Sequence, residues 1–145
     1  MAQINSTHIF ISGGLRYDMS GYILETATNS WTKMSDTTES IQKAACLVYK
    51  SNDELKLIAA ANYFAHIYHF STGTWTSLLP LPTRFTSGAF VLYLNGFLMI
   101  GGFASRFVTE FHPENETFTT WIKTLGGPRA GHSSLLIHND DLRCN

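Results

Sequence analysis

A repeat of about 44 residues constrains the fold of this chain more than any other feature of its sequence. Three times, a bulky residue at the end of an apolar run is followed seven positions later by an aromatic residue, with a polar turn between them. The pairs are Leu24 with Trp31, Tyr68 with Trp75, and Phe111 with Phe118. They are displaced along the chain by 44 and then by 43 residues. A fixed period of this length is typical of a sheet that is repeated radially or in a stack.

Each unit also carries the strand and turn signals of a short antiparallel meander. In the third unit, Asn95-Gly96 separates two apolar runs, and this dipeptide favours a hairpin because both central turn residues need positive φ. Apolar residues do not recur at a helical spacing over any long stretch of the sequence. The sequence therefore predicts an all-β chain with almost no helix and about twelve short strands, four in each unit.

Small residues end an apolar run upstream of each pair, and proline and arginine follow downstream of the second and third pairs. This order of double glycine, Tyr, polar turn, Trp and then Pro-Arg resembles the kelch repeat, and the match runs from His8 to about Leu142. The second unit departs from the pattern, with Ala59-Ala60 where the glycine pair is expected. The residues that carry the motif are Gly13, Gly14, Trp31, Tyr68, Trp75, Gly101, Gly102, Phe111 and Phe118.

The resemblance implies a kelch-type β-propeller built from four-stranded antiparallel blades. It places the units at about 8–42, 43–83 and 84–128 within a single region over 1–145, with a stray strand in 129–142. Propellers close with roughly 4–8 blades, so we expect a partial propeller with too few blades to close. Such a chain is a fragment of a larger propeller or half of an oligomer.

The strand order of the family predicts two unpaired edges in this chain. The first sheet is expected to lack its innermost strand, and Ser133 to Ile137 is expected to be an innermost strand without a sheet. Unpaired strand edges and exposed apolar faces promote association. We therefore expect the isolated chain to self-associate or to need the missing blades, and one route is pairing of the stray strand with the first sheet of a second copy.

The composition narrows the classes of partner and compartment. The net charge is −1 and only 14% of the residues are charged, which argues against an electrostatic nucleic-acid binder. The N-terminus lacks the basic and apolar regions of a signal peptide, and no apolar run is long enough to cross a membrane. Cys46 and Cys144 do not make a disulfide framework. We expect a cytoplasmic protein without nucleic-acid or membrane partners.

Neither the histidines nor the serines form a pattern that indicates catalysis. His66 and His69 are three positions apart on a predicted strand, so they point to opposite faces and cannot bind one metal ion together. No nucleophile elbow surrounds any serine, and the double glycines lack the Lys-Ser/Thr of a phosphate loop. We expect no metal, no cofactor and no enzymatic activity.

Arg84 and Arg129 are the candidate binding residues, because each follows a proline near the start of a predicted innermost strand. In kelch-type substrate adaptors, the arginine at this place lines a pocket that grips an acidic peptide, and the resemblance implies the same role here. The planar guanidinium suits that role since it pairs bidentately with carboxylates. The alternative is a structural arginine that bonds loop carbonyls between blades.

The sequence thus predicts a non-catalytic protein–protein interaction module of kelch type, such as a piece of a substrate-adaptor propeller. Two alternatives remain open at this stage. One is a structural, actin-associated kelch protein of the cytoskeleton. The other is a kelch-type enzyme such as an oxidase or a sugar epimerase, which would need a cofactor cluster or a lined pocket.

Overall fold

A computed structural model describes residues 1–12 and 19–134 of the chain. These residues form twelve strands and no helix, so none of them forms a helix long and apolar enough to cross a membrane. The predicted all-β class is confirmed. The strands are β1 (Ala2–Gln3), β2 (His8–Ser12), β3 (Gly21–Glu25), β4 (Ser30–Lys33), β5 (Ala45–Ser51), β6 (Glu54–Ala61), β7 (Phe64–His69), β8 (Thr74–Ser77), β9 (Ala89–Tyr93), β10 (Gly96–Ile100), β11 (Val108–His112) and β12 (Thr117–Thr120).

The strands form three antiparallel sheets of four, each in chain order. We call β1–β4 the first sheet, β5–β8 the second and β9–β12 the third. Their innermost strands lie side by side, because β5 contacts both β1 and β9. No strand of the first sheet contacts a strand of the third within the described part of the chain, so the series of sheets is not closed.

The first sheet has an innermost strand, and the prediction that it lacks one was wrong. In β1, Ala2 is paired with Phe10 and Gln3 with Ile9 of β2. The Asn5 side chain makes the reversal between the two strands, since its Oδ1 accepts hydrogen bonds from the backbone of Thr7 at 2.9 Å and His8 at 2.8 Å. A two-residue strand has no periodicity of its own, which is why the sequence did not reveal it.

Some sequence predictions fall on residues outside the described ranges. Gly13 and Gly14 of the first unit are among them, as are Cys144 and the part of the predicted stray strand from Leu135 onward. Ser133 and Ser134 are described and are not in a strand.

The second sheet has both faces buried, and this explains its uninterrupted apolar strands. Successive residues of a strand point to opposite faces, and in β6 both kinds of position are apolar. Leu57 and Ala59 pack with Phe10 of the first sheet, whereas Ile58 and Ala60 pack with Phe111 of the third. These four residues of β6 are all fully buried. A strand covered on both sides reads as a continuous apolar run rather than an alternating one.

Trp75 fills the wedge between the first and second sheets. Its ring lies 5.1 Å from the ring of Tyr68 and 6.2 Å from the ring of Phe10, measured between centroids. The indole Nε1 donates a hydrogen bond of 2.8 Å to the carbonyl of Ser35, in the linker after β4. The side chain therefore joins two sheets by packing and by a polar contact.

Phe118 has the corresponding place in the third sheet. Its ring lies 5.2 Å from that of Phe111, which is 5.6 Å from the ring of Tyr49 in the second sheet. The seven-residue spacing of the repeat arises from the turn between the third and fourth strands. In each sheet that turn contains one residue of positive φ, two positions before the aromatic residue. These residues are Asn29 at 54°, Gly73 at 69° and Glu116 at 56°.

An ion pair links the second and third sheets at their hairpin turns. Lys56 is buried, and its Nζ donates a hydrogen bond of 2.8 Å to Glu116, a contact that raises the pKa of the lysine. Glu54 lies 3.6 Å from the same nitrogen. Hydrogen bonds from Ser71 and His69 lower the pKa of Glu54. A buried charge needs such partners, because leaving it unpaired costs several kcal/mol.

Replacing Trp75 by alanine should destabilise the fold without changing its class. Emptying an aromatic site in a core costs ~3–5 kcal/mol, and we expect the lower end because the Trp75 side chain is only half-buried. The free energy of unfolding in urea measures the loss. Ile122→Ala is the matched control, since Ile122 is fully exposed. An equal loss in both variants would contradict the wedge role of Trp75.

His66 should make stability depend on pH. The side chain is buried beside Trp75, and burial lowers its pKa. The unfolded chain therefore binds a proton more readily than the folded chain, so stability falls as the pH drops below the ordinary histidine value of about 6.5. His66→Asn should abolish this loss. We expect the stability difference between wild type and variant to narrow from about pH 7.5 to about pH 5.5, and a constant difference would contradict the assignment.

Candidate binding site

The candidate site lies at the end of the sheets that carries the loops between their second and third strands. In an antiparallel meander these loops share one end with the linkers that join successive sheets, and we call it the loop end. The opposite end, which carries the tight turns such as Asn52-Asp53 and Leu94-Asn95, is the hairpin end. Arg84 and Arg129 both lie at the loop end, in the segments that follow β8 and β12.

Two isolated backbone bridges lock these linkers to the loops. Asn62, just after β6, pairs with Phe85, and Gly102, just after β10, pairs with Arg129. The Phe85 amide donates to the Asn62 carbonyl at 2.7 Å, and the Gly102 amide donates to the Arg129 carbonyl at 2.5 Å. Each bridge fixes the path of the chain as it leaves one sheet for the next.

The double glycine Gly101-Gly102 is required by these contacts. Both residues have positive φ, 70° and 128°. A Cβ atom at Gly101 would lie 2.6 Å from the carbonyl oxygen of Arg129, and one at Gly102 would lie 3.1 Å from the amide nitrogen of Thr86. Backbone atoms therefore lie closest to both glycines, and the His132 ring also lies against Gly101.

In the second sheet Asn62 takes the place of the second glycine. The sequence aligned Ala59-Ala60 with the glycine pair, and this alignment was wrong, because both alanines lie inside β6 and are fully buried. Asn62 makes the bridge equivalent to that of Gly102 and has φ 53°, a conformation that asparagine tolerates. Its Oδ1 also accepts a hydrogen bond of 2.8 Å from the Thr86 hydroxyl.

A ladder of backbone hydrogen bonds connects the starts of the innermost strands. Lys43, Ser87 and Gly131 recur at intervals of 44 residues, and all three have positive φ, at 57°, 57° and 64°. The Ser87 amide donates to the Lys43 carbonyl at 3.1 Å, and the Gly131 amide donates to the Ser87 carbonyl at 2.7 Å. Sequence reasoning missed this ladder since Lys and Ser carry no signal for positive φ, and only their spacing could have revealed it.

A groove of about 480 Å³ opens beside the bridge between Asn62 and Phe85. Its walls come from the loop after β6, the linker before β9 and the loop after β10. Tyr63 is 51% exposed and Phe103 is 60% exposed, so two large aromatic rings face solvent in one depression. The lining residues are Tyr63, Pro82, Thr83, Arg84, Phe103, Ala104, Ser105 and Phe107.

Hydrogen bonds to the backbone hold all three walls of the groove. The Leu81 amide donates to the Tyr63 carbonyl at 2.8 Å, and the Phe103 amide donates to the Thr86 carbonyl at 2.7 Å. Ser105 is buried, and its amide donates to the Gly102 carbonyl at 3.0 Å. The exposed aromatic side chains therefore project from a fixed backbone.

Arg84 lies at this groove with its guanidinium over an aromatic ring. Its Cζ is 5.9 Å from the centroid of the Phe103 ring, within the range of a cation–π contact. The side chain is exposed and forms no ion pair with any residue of the described ranges. The ring of Phe103 orients the guanidinium and leaves its N–H groups available to a ligand.

Arg129 lies outside the groove and is not equivalent to Arg84. Asn62 is bridged to Phe85 and Gly102 is bridged to Arg129, so Phe85 corresponds to Arg129. Arg84, one position earlier, therefore corresponds to Pro128. The carbonyl of Arg129 accepts the bridge hydrogen bond from the Gly102 amide, whereas in the first bridge the carbonyl of Asn62 accepts from the Phe85 amide and Arg84 is not a bridge residue. The structure therefore does not bring the two arginines into one pocket, and the arginine of the loop between them, Arg106, was missed from the sequence.

The remaining motif and histidine residues lie away from this groove. Trp31 is exposed on the first sheet, whereas Tyr68 and Phe111 are in the core. His66 is within 3.1 Å of the Ser77 hydroxyl, and His69 contacts Glu54. Burial raises the pKa of the Cys46 thiol, whose sulfur lies 3.9 Å from the Ser12 hydroxyl. Among the described residues, no three His, Cys, Asp or Glu side chains are grouped as metal ligands.

Comparison with known proteins places the fold. No protein-family model matches the chain, and its sequence matches no curated protein. Among solved structures the chain is similar to YjhT, a β-propeller-type protein, with a TM-score of 0.61 and 13% sequence identity. The superposition covers 87% of this chain and 50% of the YjhT chain, so this chain spans about half the length of that protein.

The chain has the fold of a partial β-propeller. Its three four-stranded antiparallel sheets are the blades, and they do not close within the described residues. This confirms the fold expected from the repeat. At 13% identity the similarity to YjhT concerns the fold alone.

Gly102→Ala should be destabilising at this end of the sheets. The residue has φ 128°, and its new Cβ would meet the backbone of Thr86 at 3.1 Å, so strain of about 1–3 kcal/mol is expected. Gly126→Ala is the control, since a Cβ there has no atom within 4 Å. Urea unfolding compares the two variants. If both are equally stable, the loop end tolerates movement and the bridges do not hold it.

Proposed function

We propose that this chain is a non-catalytic protein–protein interaction module of kelch type, whose groove at the loop end binds an acidic segment of a partner polypeptide. The single observation that carries the proposal is the position of Arg84, with its guanidinium over Phe103 and without a carboxylate partner among the described residues. Substrate recruitment, as in kelch adaptors, is the role that we assign to such a module.

The side chains of the groove support a binding role. Aromatic residues and arginine are over-represented among the residues that contribute most to the affinity of protein interfaces. Tyr63, Phe103 and Phe107 are all at least 41% exposed, although burial of each ring would be favourable. A peptide that covers them removes this apolar area from water at little entropic cost, because the loops are already fixed by hydrogen bonds.

The distribution of charge supports an acidic partner. Arg84, Arg106 and Arg129 are all exposed and all belong to segments of the loop end. At the hairpin end the carboxylates of Asp53, Glu54 and Glu116 are paired with Lys50 or Lys56. An acidic segment would therefore be attracted to the exposed arginines of the loop end, which orients binding as well as strengthening it.

The chemistry of the groove supports binding without turnover. Its described lining residues supply a guanidinium, a phenol and two hydroxyls, but no carboxylate, imidazole or thiol. General acid–base and nucleophilic catalysis rely on such groups. We also propose a cytoplasmic location, which suits the free thiol of Cys46 because cytosolic cysteines stay reduced.

Selection from a peptide library tests the proposal. A phage-displayed library of random peptides should yield clones rich in Asp and Glu, and their Asn and Gln counterparts should bind much more weakly. Arg84→Ala should weaken capture of a selected peptide by roughly 2 kcal/mol, about 30-fold in Kd. Arg129→Ala should have a smaller effect, mainly on the association rate, because its side chain lies outside the groove.

Lys50→Ala is the control for loss of positive charge, since Lys50 is exposed beside Asp53 at the hairpin end. It should leave peptide affinity and strand content unchanged. A library that yields no enriched clones would argue against the proposal, as would selected peptides whose affinity is the same for the Arg84→Ala and Lys50→Ala variants. If Arg84→Ala unfolds the chain, the arginine is a structural element between blades and the assigned role is wrong.

A further inference from the structure

The first sheet has an apolar face that no described residue covers. Trp31 is 56% exposed and Tyr22 is 38% exposed, and both lie on the face of the sheet opposite Phe10. Ile9, Ile11 and Leu24 share this face and are only partly buried. Contiguous exposed aromatic and aliphatic side chains of this kind are rare on the surface of a monomeric protein.

The same face is covered in the other two sheets, always by the sheet that precedes it. In the second sheet Trp75 packs against Phe10, and in the third Phe118 packs in the cluster that contains Tyr49. Trp31 occupies the place in the first sheet that Trp75 and Phe118 occupy in theirs, as the repeat spacing and the strand register establish. Continuity with the two existing interfaces therefore indicates that another four-stranded sheet packs against Trp31.

The third sheet offers the complementary face. In the third sheet Val91 is paired with Leu98, and in the second sheet Leu47 is paired with Ile58. Val91 therefore corresponds to Leu47, and Leu98 corresponds to Ile58. Leu47 and Ile58 belong to the face that packs against the following sheet. Val91, Tyr93 and Ile100 of the third sheet are partly exposed on the corresponding face. The two ends of the series thus carry the two halves of one repeated interface.

The backbone ladder is also incomplete at both ends. The Lys43 amide has no acceptor among the described residues, and the Gly131 carbonyl has no donor among them. The bonds Ser87 to Lys43 and Gly131 to Ser87 show which groups would pair at the next step. A further sheet before the first or after the third would continue the same pattern.

We propose that two copies of this chain close a six-bladed ring, in which the first sheet of each copy packs on the third sheet of the other. Two copies supply six four-stranded sheets, which is within the roughly 4–8 blades of a closed propeller. A two-fold axis relates the copies, which makes the two contacts identical and closes the assembly. In each contact Trp31 enters the wedge beside Leu98, which is paired with Val91 and takes the place of Phe10, and the Lys43 amide of one copy donates to the Gly131 carbonyl of the other.

This arrangement differs from exchange of the strand predicted at Ser133–Ile137. The edge of β2 that such a strand would join is already paired with β1 over Ile9 and Phe10. Packing of sheet faces requires no strand to be displaced. The proposal is independent of peptide binding, because the groove lies between the second and third sheets of a single copy.

Sedimentation velocity of the full chain tests the ring. The wild type should sediment with the mass of two copies, and Trp31→Lys should sediment with the mass of one. Tyr63→Lys is the matched control, since Tyr63 has a similar exposure of 51% but lies at the groove, and it should remain a pair. A folded wild type with the mass of one copy would overturn the proposal, as would larger open assemblies or a Trp31→Lys variant with the mass of two.

A mixing experiment distinguishes the specific contact from general stickiness. Val91→Glu should also sediment as a single copy. When it is mixed with Trp31→Lys, a pair should form again, because one contact is then wild type and the other has the new lysine and the new glutamate on its two facing sheets. Failure of the mixture to pair, with circular dichroism showing both variants folded, would overturn the proposed contact. Arg84→Ala should pair like the wild type, so loss of peptide binding and loss of pairing are separately measured.

Discussion

Coverage of both faces of each sheet is the constraint on which this structure depends. The strands are two to eight residues long, and a sheet with apolar faces must bury them against another element. The second sheet satisfies the constraint, with fully buried Leu57 on one side and fully buried Ile58 on the other. The first and third sheets satisfy it on one side only. The central sheet therefore anchors the fold, and the outer sheets have a remaining face to cover.

The same constraint determines where a binding site can form. Since the sheet faces are used for packing, only the two ends remain available for side chains that contact a ligand. At the loop end, bridges at Asn62 and Gly102 bring each linker against the neighbouring loop and leave a groove between them. Tyr63 and Phe103 project there because their backbones are already bonded and their rings have no sheet to pack against.

The features that the sequence predicted depend on local patterns or on bulky core residues. Period and strand content follow from alternation and turn chemistry, and Trp75 lies in a wedge because a residue of that size needs burial. The hairpin predicted at Asn95-Gly96 is present, but its turn is Leu94-Asn95, and Gly96 begins β10 without positive φ. The missed features depend on contacts between distant segments. β1 is too short to have a pattern, and the role of Asn62 becomes visible only when Phe85 is paired with it.

The candidate site was predicted only in part, for a related reason. Arg84 and Arg129 share a short motif, but a one-residue offset in the bridges gives them different surroundings. Side chains of neighbouring residues in extended chain point in opposite directions, so a motif match that is one position out assigns the wrong side chain to the groove. The aromatic residues Tyr63 and Phe103 were missed because exposed aromatic side chains cannot be told from core residues without the fold.

Separation of backbone and side-chain roles lets the two bridges differ in chemistry while sharing one geometry. Asn62 and Gly102 occupy equivalent positions in the two bridges, and so do their partners Phe85 and Arg129. The side chains at equivalent positions are not alike. The bridges need only backbone amides, carbonyls and a residue that accepts positive φ. Side chains at the loop end are therefore free to vary between repeats without loss of the fold. In this chain that freedom places a guanidinium and three exposed aromatic rings between the second and third sheets, where a ligand can reach them.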